Sequence, residues 1–144
     1  MPLWSANANF VAPEVLKDLH KHYLINGANA ITTNSFATSE CRLNKVGLGH
    51  LAKSLTYQSV KIACEARDEV KPDAVVLGCI VPMLQEGEFS ILESCYKVET
   101  APNFQACKDE HKKQVSDLYN AGVDFILFET FARGVEALAA AEIA

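Results

Sequence analysis

Three short apolar runs recur along the chain, each preceded by an asparagine or aspartate and followed by a small or polar residue. They lie within residues 27–34, 72–79 and 122–129. Compact apolar runs of this kind are typical of strands buried on both faces, as in parallel sheets. The gaps between them, roughly 40 residues each, leave room for a helix and a loop in every crossover.

The segments between the runs carry apolar residues at helical spacing. The first predicted helix begins at Pro13 and ends at Gly27, and the second ends at Pro72. A third helix is predicted over about residues 104–120, and a fourth begins near Gly134. The apolar face of the first helix is predicted to comprise Val15, Leu16, Leu19, Tyr23 and Leu24. The resulting α-β-α-β-α-β-α order indicates a parallel sheet with right-handed crossovers.

Three parallel strands would leave two unpaired sheet edges, which soluble proteins avoid. No strand is predicted before the first helix, and the last predicted helix runs to the final residue. We therefore expect residues 1–144 to be one segment of a larger α/β domain. The alternative is a small three-stranded domain that covers its open edges by self-association.

Composition narrows the classes of function. The chain is 49% hydrophobic and carries 13 basic against 18 acidic residues, so its net charge of -5 argues against nucleic acid as a partner. The longest nearly apolar stretch, residues 74–84, is far shorter than the roughly 20 residues of a membrane-spanning helix. The start of the chain shows no signal peptide, and the five cysteines have no disulfide-framework spacing. These features favour a cytoplasmic protein with free thiols.

In parallel α/β folds, binding sites form at the carboxyl ends of the strands. This rule selects Thr33, Asn34 and Ser35 after the first run, Cys79 after the second, and Glu129 and Thr130 after the third. Glu129 follows four apolar residues, and a carboxylate at an apolar rim is costly to desolvate unless it meets a cation. Two sources of that cation fit the sequence: the ammonium group of a substrate, or a lysine or arginine side chain from a neighbouring loop.

Other candidate residues also have two interpretations. Asn34 can bind a ligand or form an Asx turn, and Trp4, the only tryptophan, can cover a ligand or anchor the chain by packing. No C-x-x-C pair is present, and Cys79 alone cannot form a zinc site, which needs three or four ligands. We predict that the cysteines are small buried hydrophobes, and we assign no catalytic or metal-ligating residue within the chain.

Several motifs resemble the homocysteine S-methyltransferase family. The most specific are Ile-Thr-Thr-Asn at residues 31–34 and Phe-Glu-Thr at residues 128–130, in this order and spacing. Shorter matching stretches lie at residues 2–5, 13–15, 20–24, 27–28 and 63–67. The resemblance covers nearly the whole chain.

This resemblance implies a (β/α)₈ TIM barrel of which residues 1–144 supply about strands two to four. Members of the family transfer a methyl group from a donor to the thiol of homocysteine, giving methionine, and a zinc ion held by three cysteines activates the thiol. By the resemblance, Glu129 would hold the substrate ammonium, while Asn34 and Thr33 would line the pocket. Trp4 would lie in the loop after the first barrel strand, near the methyl donor.

The chain also departs from the family pattern. No Asp-Gly-Gly segment precedes Met1, the turn after the second run reads Gly78-Cys79-Ile80-Val81-Pro82, and none of the five cysteines matches a zinc-ligand position. We therefore expect a zinc-dependent complete barrel, whereas the 144-residue chain alone lacks the zinc cysteines and is inactive. Two alternatives remain: a non-catalytic barrel remnant acting as a binding or assembly module, and a barrel enzyme whose Glu129 binds a different amine.

Overall fold

The computed structural model describes residues 3–83 and 102–143, without the side chain of Trp4. Short 3₁₀ turns span Trp4–Asn7 and Gly49–Leu51. The helices are α1 (Ala8–Val11), α2 (Pro13–Ile25), α3 (Glu40–Asn44), α4 (Ala52–Val70), α5 (Phe104–Ala121) and α6 (Gly134–Ala141). The strands are β1 (Ala30–Thr32), β2 (Val75–Ile80) and β3 (Phe125–Phe128).

The strands form one parallel sheet in the order β1-β2-β3. Ala30 of β1 lies opposite Val75 of β2, and Leu77 of β2 lies opposite Phe125 of β3. Helix α4 lies in the crossover from β1 to β2, and α5 lies in the crossover from β2 to β3. The predicted parallel α/β arrangement is confirmed. In the described residues, each outer strand has one unpaired edge.

The two faces of the sheet differ in their burial. Ile31, Val76 and Ile80 face the helices and are buried. Side chains alternate along a strand, so Leu77 and Phe125 point to the opposite face, which we call the inner face. Phe125 is 64% exposed there. The prediction that all three runs are buried on both faces is therefore wrong for β3, and also for β1, whose Ala30 is exposed, because the helices pack against the other face of the sheet.

Two apolar clusters join the helices to the sheet. One comprises Leu24, Ile31, Ala63, Ala74 and Val76, and the other comprises Val60, Ile80 and Leu118. Gly78 permits the second cluster to pack closely, because an added Cβ would lie 3.1 Å from both Leu118 Cδ1 and Val123 Cγ2. Helix α5 is capped by Asn103, whose side chain accepts from two backbone amides, and ends at Gly122 with a left-handed φ of 97°.

The buried face of α2 differs from the predicted one. The structure buries Leu16, His20 and Leu24, which are spaced four residues apart. The predicted face also included residues that are half exposed or more, namely Val15, Leu19 and Tyr23. Lys17 and Lys21 form ion pairs with Glu69 of α4, so contacts with α4 help to set the rotation of α2. Of these exposed residues, Leu19 and Tyr23 border a groove of about 370 Å³ beside β1.

Within the described ranges, no helix combines the length and the hydropathy needed to cross a bilayer. The apolar stretch that begins at residue 74 instead forms strand β2. Cys95 lies outside the described residues.

Candidate functional site

The carboxyl ends of the three strands lie at one edge of the sheet, and their backbones remain paired just beyond the strands. The Thr33 amide donates to the Leu77 carbonyl at 2.9 Å, and the Glu129 amide donates to the Ile80 carbonyl at 2.8 Å. Thr33 and Glu129 are thus fixed against β2 from its two sides. The sequence rule that selected the strand ends therefore identified residues that the fold brings together.

The Glu129 side chain is half buried and contacts the neighbouring strand. Its Oε2 atom accepts a hydrogen bond from the Cys79 thiol at 3.0 Å. In residues 3–83 and 102–143, no lysine, arginine or histidine nitrogen lies within ion-pair distance of this carboxylate. The described residues thus supply a neutral donor to Glu129 and no cation.

Thr33, Ser35 and Cys79 form a closed ring of hydrogen bonds. The Ser35 hydroxyl donates to the Cys79 carbonyl at 2.6 Å, and the Cys79 amide donates to Thr33 Oγ1 at 3.2 Å. The two hydroxyl oxygens are 2.8 Å apart, and since Ser35 has already used its proton, Thr33 donates to Ser35. All three residues are buried. The ring locks the end of β1 to the end of β2.

Asn34 and Asn9 form a reciprocal pair. Asn34 Nδ2 donates to the Ser5 carbonyl at 2.8 Å and to Asn9 Oδ1 at 3.0 Å, while Asn9 Nδ2 donates to the Asn34 carbonyl at 3.0 Å. Both amide protons of Asn34 are therefore engaged with the N-terminal segment. The pair ties the 3₁₀ turn that contains Trp4 to the end of β1. Sequence patterns did not indicate Asn9, because its partner lies 25 residues away.

A second buried polar cluster lies beyond β2 and was missed in the sequence. Glu136 Oε1 accepts from the Met83 amide at 2.5 Å and lies 3.0 Å from His111 Nε2. Both His111 and Glu136 are fully buried. On the same buried face of α5, Gln114 donates to the Ser35 carbonyl at 3.0 Å. The polar sequence around His111 resembles a solvated helix face, so periodicity alone did not reveal the cluster.

The cysteines in the described residues do not form a metal site. No group of three or more histidine, cysteine, aspartate or glutamate side chains in those residues could hold a metal ion. Burial, reinforced by the Glu129 carboxylate, raises the pKa of the Cys79 thiol, and burial raises the pKa of Cys107 to about 12. A zinc site needs three or four ligands, and neither thiol belongs to such a group in the described residues. The described residues therefore do not fit the zinc centre that the family resemblance implies.

Parallel βα units with a carboxylate at the end of a strand are typical of α/β proteins, the class that includes TIM barrels and doubly wound sheets. The metallated form of the homocysteine methyltransferase MmuM from Escherichia coli matches this structure with a TM-score of 0.87 and 27% sequence identity. The match covers 99% of this chain and 51% of that one. The model of the homocysteine S-methyltransferase family matches residues 1–144, and the chain belongs to this family.

Curated relatives give the same assignment. A selenocysteine Se-methyltransferase from Brassica oleracea var. italica is 32% identical over 162 residues, covering 99% of this chain and 45% of the relative. A betaine–homocysteine S-methyltransferase 1 from Xenopus tropicalis is 29% identical over 149 residues, covering 97% of this chain and 32% of the relative. The chain thus spans half or less of the length of these relatives.

Proposed function

We propose that residues 1–144 form about strands two to four of a homocysteine-binding (β/α)₈ barrel. The complete barrel transfers a methyl group from a donor to the thiol of homocysteine, giving methionine. The observation that carries this proposal is the family match over residues 1–144. Glu129 supports it, because this carboxylate lies at the end of β3 without a cationic partner in the described residues.

Glu129 binds the ammonium group of homocysteine in this proposal. A half-buried carboxylate loses part of its hydration, and a substrate cation compensates for that loss. Its Oε2 atom is already bound to Cys79, which leaves Oε1 to accept from the ammonium. Thr33 and Asn34 line the pocket and shape it through their contacts with Cys79 and Asn9. Trp4 lies on the methyl-donor side.

Thiol activation requires residues other than the described ones. A free thiol has a pKa of about 8.5 and is mostly protonated at neutral pH, whereas the thiolate is the nucleophile. Bound zinc supplies that activation by deprotonating a coordinated thiol. Because the described residues do not fit such a centre, we assign them to substrate binding. None of the five cysteines in the sequence matches a zinc-ligand position of the family pattern, so the 144-residue chain alone is expected to be inactive.

The test uses the complete protein that carries this segment. Methionine formation from homocysteine is measured by mass spectrometry with S-methylmethionine, S-adenosylmethionine or betaine as donor. The control substrate is 4-mercaptobutyrate, which keeps the thiol and the carboxylate but lacks the amine. Methylation of homocysteine at a much higher kcat/KM than 4-mercaptobutyrate supports the proposal. Absence of methylation with every donor would contradict it, and equal use of both thiols would contradict the role of Glu129.

A second candidate function is an assembly module built from a non-catalytic barrel remnant. The observation that favours it is apolar exposure on the described surface, since Phe125 at the edge strand β3 and Leu138 of α6 are both more than 60% exposed. Such surface promotes association when nothing covers it. A protein that forms stable assemblies but shows no homocysteine binding would support this second function.

A further inference from the structure

Two consecutive residues of β2 hold Glu129 at both of its ends. The Ile80 carbonyl accepts from the Glu129 amide at 2.8 Å, which fixes the backbone. The Cys79 thiol donates to Oε2 at 3.0 Å, which fixes the carboxylate. The side chain of Glu129 therefore has a defined orientation before any substrate binds.

Cys79 is itself held rigidly. It is 1% exposed, and its amide and carbonyl are bound by the hydroxyls of Thr33 and Ser35. The hydroxyl protons of both residues are used within this ring, as their mutual contact of 2.8 Å shows. The ring therefore fixes the backbone of Cys79 and so determines where its thiol points.

The thiol is a permanent donor under physiological conditions. Burial, and secondarily the carboxylate of Glu129, raise the pKa of Cys79 above the ordinary range of cysteine. A protonated thiol donates one hydrogen bond and carries no charge. Cys79 can thus orient Glu129 without neutralising the negative charge that an ammonium needs.

We propose that Cys79 is a positioning residue for substrate binding, whose thiol holds Oε2 of Glu129 so that Oε1 receives the homocysteine ammonium. This inference rests on the proposed function. A carboxylate that is already ordered loses less side-chain entropy when it binds its ligand. Since a thiol is a weak donor, we expect its loss to raise the KM for homocysteine by roughly three- to tenfold.

The experiment compares three substitutions at Cys79 in the complete protein. Cys79→Ala removes the donor, Cys79→Val removes it while nearly keeping the volume, and Cys79→Ser restores a donor. We expect Cys79→Ala and Cys79→Val to raise the KM for homocysteine while kcat changes by less than about twofold, because the ammonium is remote from the reacting sulfur. Cys79→Ser should bring the KM back to within about twofold of the unmodified protein.

Cys107→Ala is the matched control, because Cys107 is equally buried but lies on α5, and no hydrogen bond joins its side chain to Glu129. It should lower the melting temperature as Cys79→Ala does and leave the KM for homocysteine unchanged. A second readout is the KM for 4-mercaptobutyrate, which lacks the ammonium. Cys79→Ala should leave that KM unchanged, whereas a merely structural role would raise the KM for both thiols together.

The Glu129→Gln background separates the two inferences. If Cys79 acts through Glu129, Cys79→Ala should add little to the KM of Glu129→Gln. If Glu129→Gln raises the KM for homocysteine but neither Cys79→Ala nor Cys79→Val does, the positioning role is overturned and the proposed function stands. If Glu129→Gln itself has no effect on that KM, the ammonium-binding role of Glu129 fails, and the role of Cys79 fails with it.

Discussion

Replacing Glu129 by glutamine removes a charge while nearly preserving the shape of the side chain. The amide oxygen of glutamine can still accept from the Cys79 thiol, which lies 3.0 Å from the carboxylate in the unmodified protein. The substitution therefore tests the charge of Glu129 and leaves its packing almost intact. The expected loss is one charge-assisted hydrogen bond to the homocysteine ammonium.

The magnitude of this loss follows from the type of contact. A hydrogen bond to a charged group contributes about 1.5–3 kcal/mol, which corresponds to roughly a 10- to 150-fold change in affinity at about 1.4 kcal/mol per decade. Glu129 is half buried, so solvent screens part of its charge and we expect the lower part of that range. The ammonium contact is nearly equal in the ground and transition states, because the ammonium is remote from the sulfur. The loss should therefore raise KM for homocysteine more than it lowers kcat.

The assay is steady-state kinetics of the complete protein against both substrates, with a melting curve for each variant. The KM for the methyl donor should barely change, since the donor does not contact the ammonium site. Stability should not fall much, because the change removes a carboxylate that has no cationic partner in the described residues. If Glu129→Gln unfolds while the surviving protein keeps its homocysteine KM, Glu129 is a structural residue and the reasoning is refuted.

Four further outcomes can be checked. The isolated 144-residue chain should retain far less than one zinc per chain after gel filtration, measured by metal analysis; a zinc that resists a chelator would contradict this. The same chain should self-associate or melt without cooperativity, whereas a monodisperse monomer with a sharp melt in light scattering and calorimetry would contradict an incomplete fold. Gly78→Ala should destabilise the protein by roughly 1–3 kcal/mol in chemical denaturation, because its Cβ would crowd Leu118 and Val123. The contribution of Cys107 to stability should be constant below pH 9 and be lost as the pH rises toward 12, because Cys107 ionises near 9.0 when unfolded but only at about 12 when folded; Cys107→Ala should reduce that loss.

The order and direction of the strands could be predicted because they depend on local patterns. An apolar run after a turn residue indicates a strand, and alternation of such runs with helices long enough for a crossover favours a parallel sheet. The buried face of α2 could not be predicted in the same way. Val15 and Leu16 are both apolar and adjacent, and only the helix packed alongside decides which of them is buried.

The candidate site, too, could be predicted from the sequence only in part. The strand-end rule located Thr33 and Glu129 without any tertiary information. It could not show that the Thr33 hydroxyl is used to hold Cys79, because that contact depends on the register between β1 and β2. Glu136 was missed because an acidic residue in an alanine-rich helix indicates an exposed position, whereas the fold buries it against His111.

The inner face of the sheet has a consequence for the biosynthesis of the protein. The opposite face of the sheet is covered by helices of this chain, but Phe125 on the inner face is open to water. In a complete barrel of the length of the E. coli structure, about strands five to eight still have to be synthesised, which takes on the order of ten seconds. During that interval the apolar inner face is a target for chaperones and for other nascent chains. A faster supply of the remaining strands would shorten this exposure, so translation speed over the second half of the barrel would influence the yield of folded protein.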